Sequence, residues 1–209
     1  MRSRNNGHDA QLRQHLASEA ARVIIDGGIR DYGAAKRKAL ERLRLPRGTP
    51  LPRDQEIEDA LLEHQRLFGG GAAVLLLRRL RQVALDAMHE FREFQPKLVG
   101  PMLSGVVDSH TVVILHLFAD FTEEVVWALM ERRIDHRNSE HLLRMSTGEV
   151  ERIPGFSFIA GEVPIELVVF SGRSRRHTPI NRLDGHAMAR ASIAQVRTLG
   201  DDQDEAVSL

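Results

Sequence analysis

KLVGPMLSGVVDSHTVVILHLFAD, residues 97–120, carries two short apolar runs, 98–103 and 112–118, on either side of a polar, glycine-containing segment. Both runs are short, rich in β-branched residues and bounded by turn residues, which predicts two strands. Apolar residues on both faces put each strand in the interior of a sheet. Before this stretch the apolar residues recur at helical spacing; after it they follow strand-like periods between glycine turns. The expected class is α+β, with a helical region (1–95) packed on a mixed-sheet α/β core (96–199) and a disordered tail (200–209).

Upstream, four helices are predicted. Residues 1–8 read as frayed, and Asp9 caps the first helix. Its buried face is Leu12, Leu16, Ala20, Val23 and Ile24, and Gly27-Gly28 closes it. Asp31 caps the second, whose stripe is Tyr32, Ala35, Ala39 and Leu43; Leu45-Pro46 stops it, because proline disfavours helix in the residue before it. A loop with three prolines follows. Asp54 opens the third, with Glu56, Glu58 and Asp59 in a first turn whose dipole favours negative charge. Its apolar face is Ile57, Ala60, Leu61, His64 and Leu67. Gly69-Gly70-Gly71 separates it from a fourth helix over 73–94 that buries Leu77, Leu80, Ala84, Met88 and Phe91 and ends at Gln95-Pro96.

Downstream, Asp120 and Glu123 have the spacing of a capping box. The helix they open spans 122–133 and buries Val125, Val126, Leu129 and Met130. Strands over 141–145, 150–159 and 163–170, joined through glycine-bearing turns, read as an antiparallel meander. A basic loop, an Asp184-Gly185 turn and a helix near 190–199 complete the pattern.

Twenty-nine basic residues balance twenty-nine acidic ones, so the chain as a whole exerts no pull on nucleic acid or anionic lipid. There is no cysteine, which excludes disulfides, cysteine-ligated zinc and thiol nucleophiles. The N-terminal residues lack the apolar core of a secretory signal. The longest apolar run of the helical half, 72–77, is too short to span a bilayer. A cytoplasmic protein with no membrane partner is expected.

The opening stretch resembles the nucleotidyltransferase fold of the polymerase-β type. That family's first strand ends in Gly-Ser, and a second glycine often stands five residues after the first. Two metal-binding aspartates follow on the next strand, seven and nine residues past the second glycine, and a third carboxylate lies on a later strand. Here Gly100 and Gly105 are five apart, and Glu166 in VPIELVVF stands where the third carboxylate belongs. The two aspartate positions, however, hold Val112 and Ile114, and Pro101 follows Gly100. Valine and isoleucine cannot ligate Mg²⁺, and a single carboxylate would bind this reluctantly dehydrating ion poorly. Proline has neither hydroxyl nor N–H to offer a phosphate.

The resemblance therefore implies a degenerate scaffold that binds a nucleotide, an anion or a protein partner without turnover, with no metal site. The ligand-contacting residues it points to are Gly100, Ser104, Gly105, His116 and Glu166, joined by Arg173 and Arg175 of the basic loop after the Glu166 strand. The enzymatic alternative is an active Mg²⁺-dependent nucleotidyltransferase with an unusual carboxylate set, its catalytic candidates Glu166, His116 and Asp108 or Asp120.

A third alternative is a nucleic-acid-binding module. Arg30, Lys36, Arg37, Lys38, Arg42, Arg44, Arg47 and Arg53 face only Asp31 and Glu41 in the same segment. A solvated helix face is the plainer reading. Arg78, Arg79 and Arg81 lie off the buried stripe of their helix and read the same way, either solvated or packed over the other helices. No Gly-Lys-Ser/Thr follows Gly69–Gly71 and no second histidine follows His89-Glu90, so neither a Walker loop nor a zincin motif is present.

Strand alternation sharpens one expectation. Val112, Ile114 and His116 share a face, as do Pro164, Glu166, Val168 and Phe170. If the strand order that the resemblance implies holds, Glu166 faces the Val112, Ile114 and His116 surface and, among apolar neighbours, needs a partner. His116 or a nearby arginine is the expected one.

Overall fold

The computed structural model describes residues 3–27, 31–46, 48–68, 70–181 and 185–199, the side chains of 3–9 and 65–68 aside. The protein is α+β and divides into two compact units, Met1–Ala73 and Val74–Leu209.

The first unit contains α1 (Ser3–Gly27), α2 (Tyr32–Arg42) and α3 (Asp54–Phe68). Leu16, Ala20 and Val23 of α1, Ala35 and Ala39 of α2, and Ile57 and Leu61 of α3 are buried, as their spacing predicts. Asp31 caps α2 by accepting the Ala34 N–H. At the start of α3, Glu56 Oε2 accepts the Arg53 N–H at 2.7 Å. Asp9 is not a cap, because α1 already begins at Ser3. The Leu67 side chain, Arg30, Arg47, Asp184 and the 200–209 tail, all given roles above, lie outside what is described.

The second unit takes in nearly all of α4 (Gly70–Glu90). The unit boundary thus falls near residue 73, not 95, because Leu77, Leu80, Ala84, Met88 and Phe91 bury their stripe in the same core as the sheet. A 3-10 turn, Arg92–Phe94, leads to β1 (Lys97–Val99), then α5 (Pro101–Ser104), β2 (Val113–Phe118), α6 (Thr122–Glu131), β3 (Arg137–Arg144), β4 (Val150–Ala160) and β5 (Val163–Phe170). The sheet order is β1-β2-β5-β4-β3. β2 and β5 are parallel; the other three pairings are antiparallel.

Two expectations for the opening stretch change. The strand expected over 98–103 stops at Val99, and Pro101 starts a single helical turn instead, its fixed φ and missing N–H suiting the first helical position. β1 is also the first strand in the sheet order, not an interior one. Its backbone is nevertheless covered: Leu98 and Ala191 exchange both N–H to carbonyl bonds at 2.9 Å.

Alternation gives the sheet two different faces. Val113, Leu115 and Leu117 of β2 and Ile165, Leu167 and Val169 of β5 point into the core shared with α4 and α6. The opposite face carries Ile114, His116 and Phe118 of β2 and Glu166, Val168 and Phe170 of β5. There Val168 and Phe170 join Met145 and Ile153 in a smaller apolar cluster, with Ile114, Phe118 and Leu143 packed against it. The chain after β5 links the two sheet edges. Thr178–Ile180 bonds to the end of β3 through Ile180 N–H to Arg144 O, and Ala191 bonds to β1. A final helix, 193–199, then returns to the α4 side, where Val196 is buried in the main core.

On α6, Val125, Ala128 and Leu129 are buried, but Met130 is 65% exposed, contrary to the expected stripe. Its helical phase sets it beside exposed Trp127, away from the core.

Candidate functional site

Glu166 lies on the smaller-cluster face, paired in register with Ile114. The two strands do neighbour each other, but the partner differs from expectation. Glu166 Oε1 accepts the Ser139 hydroxyl and lies 2.8 Å from His141 Nε2. Both partners sit on β3, two strands away. The Glu166 side chain reaches them because β4 presents Gly155, paired with Ser139 on one side and Val168 on the other. A Cβ at Gly155 would stand 2.6 Å from Ser139 Oγ and 2.9 Å from Glu166 Oε1. Burial alone would raise the Glu166 pKa; the hydrogen bonds from His141 and Ser139 and the attraction of His141 outweigh it and hold the carboxyl below its ordinary value.

Serine, histidine and glutamate together invite comparison with a nucleophilic triad, and the geometry argues against one. In a triad the histidine bridges the other two through its two different nitrogens. Here His141 Nε2 is the nitrogen that meets both Glu166, at 2.8 Å, and Ser139, at 3.5 Å. The serine proton is directed to the carboxylate, so nothing activates the hydroxyl.

His116 is buried and belongs to a different contact. Its Nδ1 accepts from Arg190 Nε at 3.1 Å. The Arg190 guanidinium lies 5.1 Å from the Phe118 ring centre and 5.0 Å from that of Phe170, within cation–π range of both. Burial first, then the charges of Arg190 and His141, push the His116 pKa down to about 3, so the ring is neutral near pH 7. Burial also lowers the Arg190 pKa. Arg190 Nη2 is buried without a hydrogen-bond acceptor, and among the described residues no carboxylate pairs with this cation.

The remaining candidates are spread apart. Gly100 and Gly105 flank α5 with φ of 86° and 85°, backbone that glycine adopts without strain. Ser104 donates to the Pro101 carbonyl at 3.0 Å. Asp108 closes its own turn, its Oδ1 accepting from His110 N–H at 2.8 Å and from the Thr111 hydroxyl at 3.0 Å. Asp120 does not cap α6: Phe121 is the N-cap residue and makes no side-chain cap bond, while the Asp120 carboxylate accepts from Arg175 Nη1.

The position of that last pair matters. β2 and β5 run parallel side by side, so their C-terminal ends finish together. The loops leaving them border an open concavity of about 760 Å³ lined by Asp120, Gly172, Arg173, Arg175 and Arg176. Ala119 N–H donates to Phe170 O at 3.1 Å, and the hydroxyls of Thr122 and Ser171 are 3.2 Å apart, which ties the two loops. In open α/β sheets ligands characteristically bind beyond the carboxyl ends of parallel strands, and the parallel pair here, β2 with β5, offers the same local arrangement. Among the described residues neither Arg173 nor Arg176 has a carboxylate partner. The basic loop, Arg176 included, was legible in the sequence as a possible phosphate contact; its apposition with Asp120 was not, since that depends on the parallel pairing.

A divalent metal does not fit the residues around Glu166. Ile114 is packed against the smaller cluster, and the Glu166 oxygen faces Ser139 and His141. No group of three or more His, Asp or Glu among the described residues is arranged to hold an ion. The basic 30–53 segment is partly neutralised within its own unit. Lys36 pairs with Asp54 at 2.5 Å, Arg42 with Glu19 at 3.2 Å and Arg53 with Glu56 at 3.7 Å. No described helix is long and apolar enough to cross a membrane. Compared with known protein families, curated proteins and solved structures, the chain matches none.

Proposed function

We propose that the protein binds an anionic ligand, with phosphate the best-matched chemistry, and does not transform it. The observation that carries this reading is the set of Arg173, Arg175 and Arg176 around one concavity at the C-terminal ends of β2 and β5. Guanidinium groups match phosphate oxygens with paired, charge-assisted hydrogen bonds. Three such groups face a single carboxylate there. Arg190, resting on the last residues of the same two strands, adds positive charge near that end of the sheet.

A nucleotide is the first ligand to test: the degenerate nucleotidyltransferase reading keeps separate support toward the N-terminal end of β2, at the opposite end of that strand from the arginines. Glycine-flanked α5 separates β1 from β2, and Ile114 neighbours Glu166 across parallel strands, so an apolar side chain stands beside the only carboxylate the family pattern retains. Turnover by Glu166 with Asp108 or Asp120 is disfavoured, since Glu166 and Asp108 are each engaged by their own protein partners and Asp120 stands beyond the strand ends rather than beside Glu166.

Isothermal titration with pyrophosphate, ATP and CTP at low ionic strength tests the reading. Saturable binding that rises with falling salt, and is lost in the Arg173→Ala/Arg176→Ala double variant, is expected. Absence of binding at millimolar ligand, or undiminished binding in the double variant, overturns it.

A further inference from the structure

We infer that Asp120 is an internal competitor at the anion site: its carboxylate accepts from Arg175 Nη1 in the free protein and must leave when a phosphoryl group enters. This rests on the anion-binding reading above. Asp120 directly precedes the first turn of α6, yet its carboxylate turns to Arg175 across the strand ends. Burial does not enforce the contact, because the Asp120 side chain is 74% exposed and lines the concavity itself. An exposed ion pair is weakly held and readily exchanged. A phosphoryl group offers the same arginine two or more charged oxygens, with Arg173 and Arg176 at hand to share them. The carboxylate thereby acts as a selectivity element. Small monoanions such as chloride and acetate gain little over Asp120 and stay out, whereas polyphosphates displace it.

Pyrophosphate affinity at fixed ionic strength provides the test, comparing wild type with Asp120→Asn, Asp120→Glu and Glu123→Gln. Asp120→Asn is expected to bind about fivefold tighter, the scale of a freed surface pair. Asp120→Glu retains a competing carboxylate and is expected to stay near wild type. Glu123→Gln removes one exposed negative charge from the first turn of α6 without touching Arg175, and controls for long-range charge. Equal tightening in Glu123→Gln, or unchanged or weaker binding in Asp120→Asn, overturns the competitor role while leaving anion binding intact. If neither wild type nor Asp120→Asn binds pyrophosphate, the anion-binding reading falls and the competitor falls with it.

Discussion

The Glu166 carboxylate passes over Gly155 to reach Ser139, joining β5 to β3 across the strand between them. Gly155 is required there because any β-carbon enters the path. Besides the two polar oxygens it would meet, the Leu167 carbonyl lies at 2.8 Å, and backbone in the middle of a sheet cannot step aside. Gly155→Ala is therefore expected to destabilise the fold by about 1–3 kcal/mol, the usual cost of overpacking. Urea unfolding measures it. A variant as stable as the parent removes the steric argument.

Acid should weaken the same contact. Glu166 titrates below its ordinary value of 4.5 in the folded protein, so across that window the unfolded chain binds more protons than the native one. Its stabilising contribution is present in full above the unfolded pKa and is lost as pH falls through the folded one. Glu166→Gln cannot titrate. The stability gap between wild type and Glu166→Gln is expected to shift against wild type as pH drops from 6 toward 3, read by denaturant midpoints. A gap that stays constant across that range contradicts the assignment.

His116 produces a pH dependence at a higher pH. Its pKa is about 3 when folded against an ordinary 6.5, again with more protons bound in the unfolded state between those values. Stability contributed by the neutral ring is lost progressively as pH falls below 6.5, with a limiting slope of about 1.4 kcal/mol per pH unit for one proton. His116→Gln keeps an oxygen that can accept from Arg190 and has no charge to gain. Between pH 7 and 5, above most carboxylate titrations, wild type is expected to lose stability faster than His116→Gln. Parallel curves would show that His116 does not titrate differently on unfolding.

How far the sequence carried this picture depended on whether a signal was local. The buried stripe of α4, the Asp31 cap and the span of β5 follow from periodicity and turn chemistry, and all appear as read. The shared face of Ile114, His116, Glu166 and Phe170 also follows from alternation once β2 and β5 are neighbours. Which residue Glu166 would meet did not follow. Ser139 and His141 are 27 and 25 residues away in sequence, on a strand whose adjacency depends on the whole sheet order. The one local clue was Gly155 in the middle of a strand, a recognised sign of close approach. Arg190 was equally hidden, since nothing in its neighbourhood announces that it will lie on Phe118 and Phe170. Asp120 misled because its spacing to Glu123 suits a cap, while the competing attraction of Arg175 comes from 55 residues away.

Arg81 takes the packed one of its two expected readings and yields the last prediction. Its place off the α4 stripe, beside Arg78 and Arg79, left a solvated side chain and one packed over other helices both open, and it is only 5% exposed. Nε and Nη2 donate to the Met102 carbonyl at 3.3 and 3.0 Å, and Nη1 donates to the Leu199 carbonyl at 2.7 Å. One guanidinium thus ties α4 to α5 and to the 193–199 helix, satisfying helix carbonyls that lack intrahelical donors. Arg81→Met preserves an apolar stem of similar length and removes every donor. A hydrogen bond from a charged donor contributes about 1.5–3 kcal/mol, while relief of the buried charge offsets part of that. A net loss of about 1–3 kcal/mol is expected. The loss should be uneven: the Val196 amide, bonded to Ser192 O at 2.9 Å, should exchange its hydrogen faster relative to amides in β2. Arg81→Lys, which keeps the charge without the fork, is expected to recover little of either. Should Arg81→Met leave both stability and the Val196 exchange rate unchanged, the tie contributes nothing to holding the C-terminal helix in place.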